Sequence, residues 1–118
     1  MNAIETAAEE LATALRSVPE LRVYTDPGAS VDPPAALVGP PQLTWGAYDV
    51  GPTAARFVVI VLVTADERAM VRLWDLVPQA AAAIEEVDDA VVRQANPGTF
   101  TTGGTELPCY EIQVEVSL

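Results

Sequence analysis

Histidine and lysine are missing from this chain, cysteine occurs once, and the only cations are six arginines set against 17 acidic residues. Each absence removes a class of function. Without histidine, Cys109 has no ordinary base to make it a nucleophile, so a structural role is expected. One cysteine and no histidine exclude a zinc site, and a lone cysteine makes no internal disulfide; a cytoplasmic, reducing setting fits it best. Arg16, Arg22, Arg56, Arg68, Arg72 and Arg93 are scattered, and a net charge of −11 works against gripping a phosphate backbone. That charge serves solubility, or a surface that must not hold DNA. The glycines of 96–104 are not followed by the Gly-Lys-Ser/Thr of a phosphate loop, and no calcium-loop spacing occurs. The acid pairs Glu85/Glu86 and Asp88/Asp89 fall at a helix end and turn, where a solvated face accounts for them. No catalytic residue, cofactor or metal is expected, and the chain reads as a non-enzyme. The most apolar window, Phe57–Val63, is far shorter than the ~20 residues that span a membrane. Met1–Glu10 carries acids where a secretory segment needs a positive start.

What is present is a patterned chain, half hydrophobic, of a length that suits one domain over residues 1–118. Ile4, Ala7, Ala8, Leu11, Ala14 and Leu15 recur at helical spacing, which predicts an amphipathic helix over Ala3–Ser17. Leu21–Thr25 alternates as a short strand. From Asp26 to Thr53 lie six of the ten prolines, with Asp26-Pro27-Gly28 as a turn signal. Two strand-like pieces, Ala36–Val38 and Gln42–Trp45, survive there, and the prolines predict edge positions for them. This Pro-rich arm is expected to face a partner. Ala54–Thr64 holds a continuous β-branched run, which predicts a strand buried on both sides. Thr64 and Glu67 have capping-box spacing ahead of a helix to about Val87. Its buried stripe is expected at Met70, Leu73, Trp74, Val77, Ala80, Ala81 and Ile84, with a bend at Pro78. Asp89–Gln94 reads as a strand, 96–105 as a loop, and Leu107–Leu118 as a final strand with alternating faces. Together these elements predict an α+β two-layer sandwich: a mostly antiparallel sheet of about four or five strands with two helices on one face.

Two sets of residues invite a functional reading. Glu111 and Glu115 share the polar face of the last strand; they line either an ordinary solvent face or an acidic channel. Trp45, Tyr48, Phe57 and Phe100, with Arg56, are either core anchors or the aromatic and arginine anchors of a protein interface.

The order of motifs resembles the tail terminator proteins of long-tailed, siphovirus-type bacteriophages, those of actinobacteria above all. The residues that carry it are Leu21-Arg22-Val23-Tyr24-Thr25-Asp26-Pro27-Gly28, Asp32-Pro33-Pro34, Val38-Gly39-Pro40-Pro41 and Leu43-Thr44-Trp45. Ala65-Asp66-Glu67-Arg68, Leu73-Trp74, Pro97-Gly98 and Leu107-Pro108-Cys109-Tyr110-Glu111-Ile112 complete the set. The resemblance spans about residues 5–118 and implies a ring, commonly a hexamer, in the virion at the tail–head junction, assembled in the host cytoplasm. Such a ring caps the major tail tube protein, ends tube growth and docks the head-side connector or stopper, while DNA passes its pore without specific binding. It brings no catalytic residues. The rivals are another neck protein, a stopper or joining protein, and a monomeric acidic binding module.

Overall fold

The computed structural model describes residues 2–26, 30–48 and 50–118. Two helices and six strands follow one another as α1 (Ala3–Leu15), β1 (Arg22–Tyr24), β2 (Ala35–Val38), β3 (Gln42–Thr44), β4 (Ala54–Leu62), α2 (Ala69–Glu85), β5 (Ala90–Thr102) and β6 (Thr105–Ser117). The strands form one sheet in the order β1-β2-β4-β6-β5, with β3 beside β2 on the same edge of β4. Only the β1–β2 pair is parallel. Both helices pack on one face, which makes the expected α+β sandwich, with six strands rather than four or five.

Helix α1 begins where Asn2 Oδ1 accepts from the Glu5 backbone N–H at 2.8 Å, satisfying a donor that the first turn leaves free. Its Ala7, Leu11, Ala12 and Leu15 are buried. In α2 the buried stripe is Ala69, Leu73, Leu76, Ala80 and Ile84. Of the expected stripe Leu73, Ala80 and Ile84 are buried and Val77 and Ala81 half-buried, while Met70 and Trp74 are corrected: they lie on the exposed side. So much of α2 is apolar that two adjacent stripes satisfy helical spacing, and packing on the sheet selects one. The helix continues through Pro78, which removes the donor that the Trp74 carbonyl would otherwise receive.

The expected capping box is not formed. Val63 N–H still reaches the Pro108 carbonyl at 3.2 Å, which holds the chain at the sheet end and delays the helix to Ala69. The turn is built by Asp66, whose Oδ1 accepts from Arg68 N–H at 2.9 Å. Arg72 Nη2 then ties Asp66 Oδ2 at 2.7 Å to the Thr64 carbonyl at 3.0 Å. The Arg68 amide bond first, and then Arg72, hold the Asp66 carboxyl below its ordinary range.

Strand β2 corrects the edge assignment. All four of its residues are buried, and it lies between β1 and β4. Pro33, Pro34, Pro40 and Pro41 flank it rather than interrupt it, so every N–H of Ala35–Val38 remains available to a neighbour. Beyond it Gly39 N–H bonds the Val58 carbonyl at 3.1 Å, and a side-chain Cβ there would sit a tight 3.3 Å from that oxygen.

The loop expected over 96–105 is instead the outer half of a long hairpin. Strands β5 and β6, 13 residues each, pair from Ala90↔Val116 to Thr102↔Thr105. The turn is Gly103-Gly104 with φ of 56° and 79°, positive at both positions as a type I′ hairpin requires. The pair flanking such a turn exchanges both hydrogen bonds. Counting back along the register puts Pro97 and Pro108 in non-hydrogen-bonded pairs, where neither missing N–H disrupts this ladder. Strand β4 ends opposite Cys109, so the hairpin tip projects beyond it, and the Cα envelope is 51 × 27 × 23 Å.

Candidate functional site

The face of the sheet away from the helices is the open one. On β4 the side chains alternate: Ala55, Phe57, Val59 and Val61 are fully buried toward the helices, while Arg56 is exposed and Val58 and Ile60 are half-buried. Within this chain the apolar run is thus covered on one side along its length. On the other side only its end is covered, at Leu62.

That end carries a second, smaller core of Ala35, Leu62, Leu107 and Cys109, joined by the partly buried Tyr24, Val31, Ile60 and Phe100. A strap from the Pro-rich segment crosses beside it. Asp32 N–H donates to Tyr24 Oη at 3.2 Å, and Arg22 Nη1 reaches the carbonyls of Asp32 and Pro33 at 3.4 and 3.2 Å and the Asp32 carboxylate at 3.3 Å. Much of the expected partner-facing arm is therefore integral to the sheet. The part that stands out is the connection after β3. The turn expected at Asp26-Pro27-Gly28 runs into residues outside those described. Burial pushes the Cys109 thiol pKa up, and the nearby Glu111 charge adds to the shift.

Glu111 and Glu115 do share the open face, across from Ile60 and Arg56 of β4. Their electrostatic settings differ. Glu115 Oε2 lies 3.7 Å from Arg56 Nη2 and 3.5 Å from Arg93 Nε, so two guanidinium groups balance its charge. Glu111 forms no ion pair among the described residues. Gln113, Gln94 and Asn96 lie between and beside them by register. Around Glu115 the surface is therefore a mixed-charge cluster.

The interface candidates separate into three groups. Phe57 is fully buried in the main core and takes the core role, which corrects its assignment to an interface. Arg56 is an ion-pair partner, and Phe100 packs on the second core. Trp45 and Tyr48 stand out from the turn between β3 and β4, 54% and 104% exposed, with Val50 beside them at 104%. This turn is closed at its root by Thr53 N–H to the Thr44 carbonyl at 2.7 Å, and Leu118 N–H reaches the Thr53 carbonyl at 2.9 Å.

Two features escape a linear reading. The first is a second apolar patch on α2, where Met70, Val71 and Trp74 are 38%, 49% and 59% exposed; Trp74 Nε1 donates to Tyr110 Oη at 3.1 Å, which fixes the indole beside the hairpin. The second is a groove of about 660 Å³ between the helices, lined by Glu9, Glu10, Glu86, Asp88 and Asp89 among small polar residues. Its acids come from two segments far apart in the sequence, so no local signal announces it. Among the described residues no group of three or more metal-ligating side chains converges, and no helix is long and apolar enough to cross a membrane. The chain matches no protein-family model and no curated protein.

Proposed function

We propose that this chain is a phage tail terminator: a structural ring subunit that caps the tail tube, ends its growth and receives the head-side connector, with DNA passing through the pore. The observation that carries the proposal is the ordered set of motifs from Leu21 to Ile112 quoted above. The geometry is compatible with it in two respects. An open sheet face that carries Glu111 and Glu115 leaves a polar wall for a channel, and the exposed Trp45, Tyr48 and Val50 turn offers an apolar contact at one end. Free subunits carrying −11 repel one another and DNA alike, so the tube end acts as the template on which weak contacts add up.

In this reading Glu111 and Glu115 face the pore. Glu111 carries the cleaner test, because it forms no ion pair among the described residues.

The deciding experiment removes the chain from the phage that encodes it and images the lysate. Overlong tails without heads are the expected result. Tails of normal length beside leaking heads would assign the chain to the stopper or joining position. Normal virions would end the proposal.

A further inference from the structure

An exposed strand edge invites pairing unless it is short, charged, bulged or interrupted by proline. On one side the sheet ends in β1 and β3, three residues each, with Arg22 on the first and Pro40 and Pro41 ahead of the second. On the other side β5 is the last strand and runs for 13 residues. Its inner half is blunted by the bulge between Val92 and Gln94, at Arg93, and Pro97 carries no N–H. Past Pro97 the protection stops. Gly98–Thr102 contains no charge, no proline and no register shift. Because Thr102 and Thr105 exchange both hydrogen bonds, Thr101, Thr99 and Pro97 fall in non-hydrogen-bonded pairs with β6 and turn their main-chain groups outward. Two N–H donors and three carbonyls thus line this edge, and among the described residues no strand pairs with them.

Gly98 lies within that row. Its φ is not among the positive ones, and a Cβ there would meet only Cys109 Sγ, at an ordinary 3.8 Å. Neither backbone conformation nor crowding demands a glycine in a strand that it weakens. It leaves a dimple on the open face, between Asn96 and Phe100. The geometry points to strand addition at this edge: 97–101 of β5 receives an extended segment of another protein, antiparallel, with a large apolar side chain over Gly98. In that pairing Gly98 and its partner are a non-hydrogen-bonded pair, whose side chains come closest, and an aromatic ring across the strands covers a glycine well. The edge also sets the partner's charge. From Gln94 to Leu118 there is no arginine, and Glu106 and Glu111 stand opposite Thr101 and Asn96, so basic residues flanking the apolar one are favoured. A second copy fits worse: it adds another −11, and its own β5 brings Pro97, which cannot donate. The inference goes beyond the terminator reading and does not depend on it.

The probe is a fluorescein-labelled heptapeptide, Lys-Thr-Val-Phe-Val-Thr-Lys, titrated with the full chain and followed by anisotropy. Saturable binding below ~1 mM is expected, and replacing the peptide's Phe by Gly weakens it about tenfold or more. Methylating the main-chain nitrogens of both valines, which face the edge, abolishes it. On the protein, Thr99→Pro removes an outward donor at a position equivalent to that of Pro97, so the pairing with β6 survives. This variant is expected to fold, as circular dichroism reports, and to bind about tenfold more weakly or worse, while Pro97→Thr supplies a donor and binds more tightly. The Thr99 and Thr101 amides, open to hydrogen exchange in the free chain, become protected about tenfold or more with peptide bound. No saturation up to ~1 mM, or equal binding of the methylated peptide, overturns the inference. So does a folded Thr99→Pro that binds as the native chain does. A Thr99→Pro that changes the native mass of the free chain and not peptide binding assigns the edge to a second copy, and overturns it likewise. Failure here leaves the tail-length phenotype as it stands, and a chain that caps no tubes leaves this edge as it stands.

Discussion

Phe57 is where the core and interface readings part most sharply, and truncating it decides between them. The ring is fully buried on the helix-facing side of β4, opposite Val114 of β6. Phe57→Ala removes most of a large side chain from a close-packed site, at a cost of about 3–5 kcal/mol from lost burial plus the remaining cavity. For a chain of 118 residues the unfolding entropy is about 0.25 kcal/mol/K, so each kcal/mol moves Tm by about 4 °C. The expected loss is about 12–20 °C, a large part of a total stability of ~5–15 kcal/mol. Phe57→Leu, which keeps much of the volume, should lose only about a third of that. Thermal unfolding followed by circular dichroism measures both variants, at one fixed low protein concentration so that association does not shift Tm by mass action. A Tm loss under 4 °C for Phe57→Ala, with assembly weakened instead, would refute the core placement and return this residue to an interface.

Three further outcomes follow from the open face and the hairpin. Glu115→Lys loses both arginine partners and sets a third cation beside Arg56 and Arg93, costing about 1–2 kcal/mol, whereas Glu111→Lys stays within ~0.5 kcal/mol of the native chain; denaturant titration separates the two, and equal stability would refute the mixed-charge cluster. Gly104→Ala forces a side chain into a φ of 79° and should cost about 1–2 kcal/mol, while Gly103→Asn, which such turns accept, is near neutral; the reverse order would contradict the type I′ turn. Cys109, buried with its thiol pKa raised by burial, should react with a disulfide reagent at least about a thousandfold slower in the native state than in urea, the ratio that ~5 kcal/mol of stability sets. Because the folded thiol holds its proton more tightly than the unfolded one, the stability it contributes is present below pH ~9 and lost as pH rises through the folded pKa. A native rate only tenfold slower would mean that the second core opens on its own.

The parts of this fold that local chemistry dictates are legible in the sequence. The helical spacing of Ile4–Leu15, the apolar run Phe57–Val63 and the alternation of Tyr110–Leu118 each specify an element without reference to the rest. The departures arise where a distant partner decides. Strand β2 is interior because β1 returns beside it through the strap held by Arg22 and Tyr24, while the prolines around it suggest an edge. Helix α2 starts late because Val63 is still bonded to Pro108, 45 positions on. The loop expected over 96–105 is a strand because its register with β6 accommodates both prolines, a condition that only the pairing reveals.

The same distinction governs the candidate surfaces. Glu111 and Glu115 fall on one face by simple alternation, which any reader of the sequence can count. That Glu115 is neutralised and Glu111 is not depends on Arg56 and Arg93 arriving from two other strands. Acidity along the chain therefore does not translate into acidity of a surface. The arginines pair with single acids on the open face and at the start of α2, while five acids gather in the groove between the helices, whose lining includes no arginine. Two such grooves repel when copies approach through them.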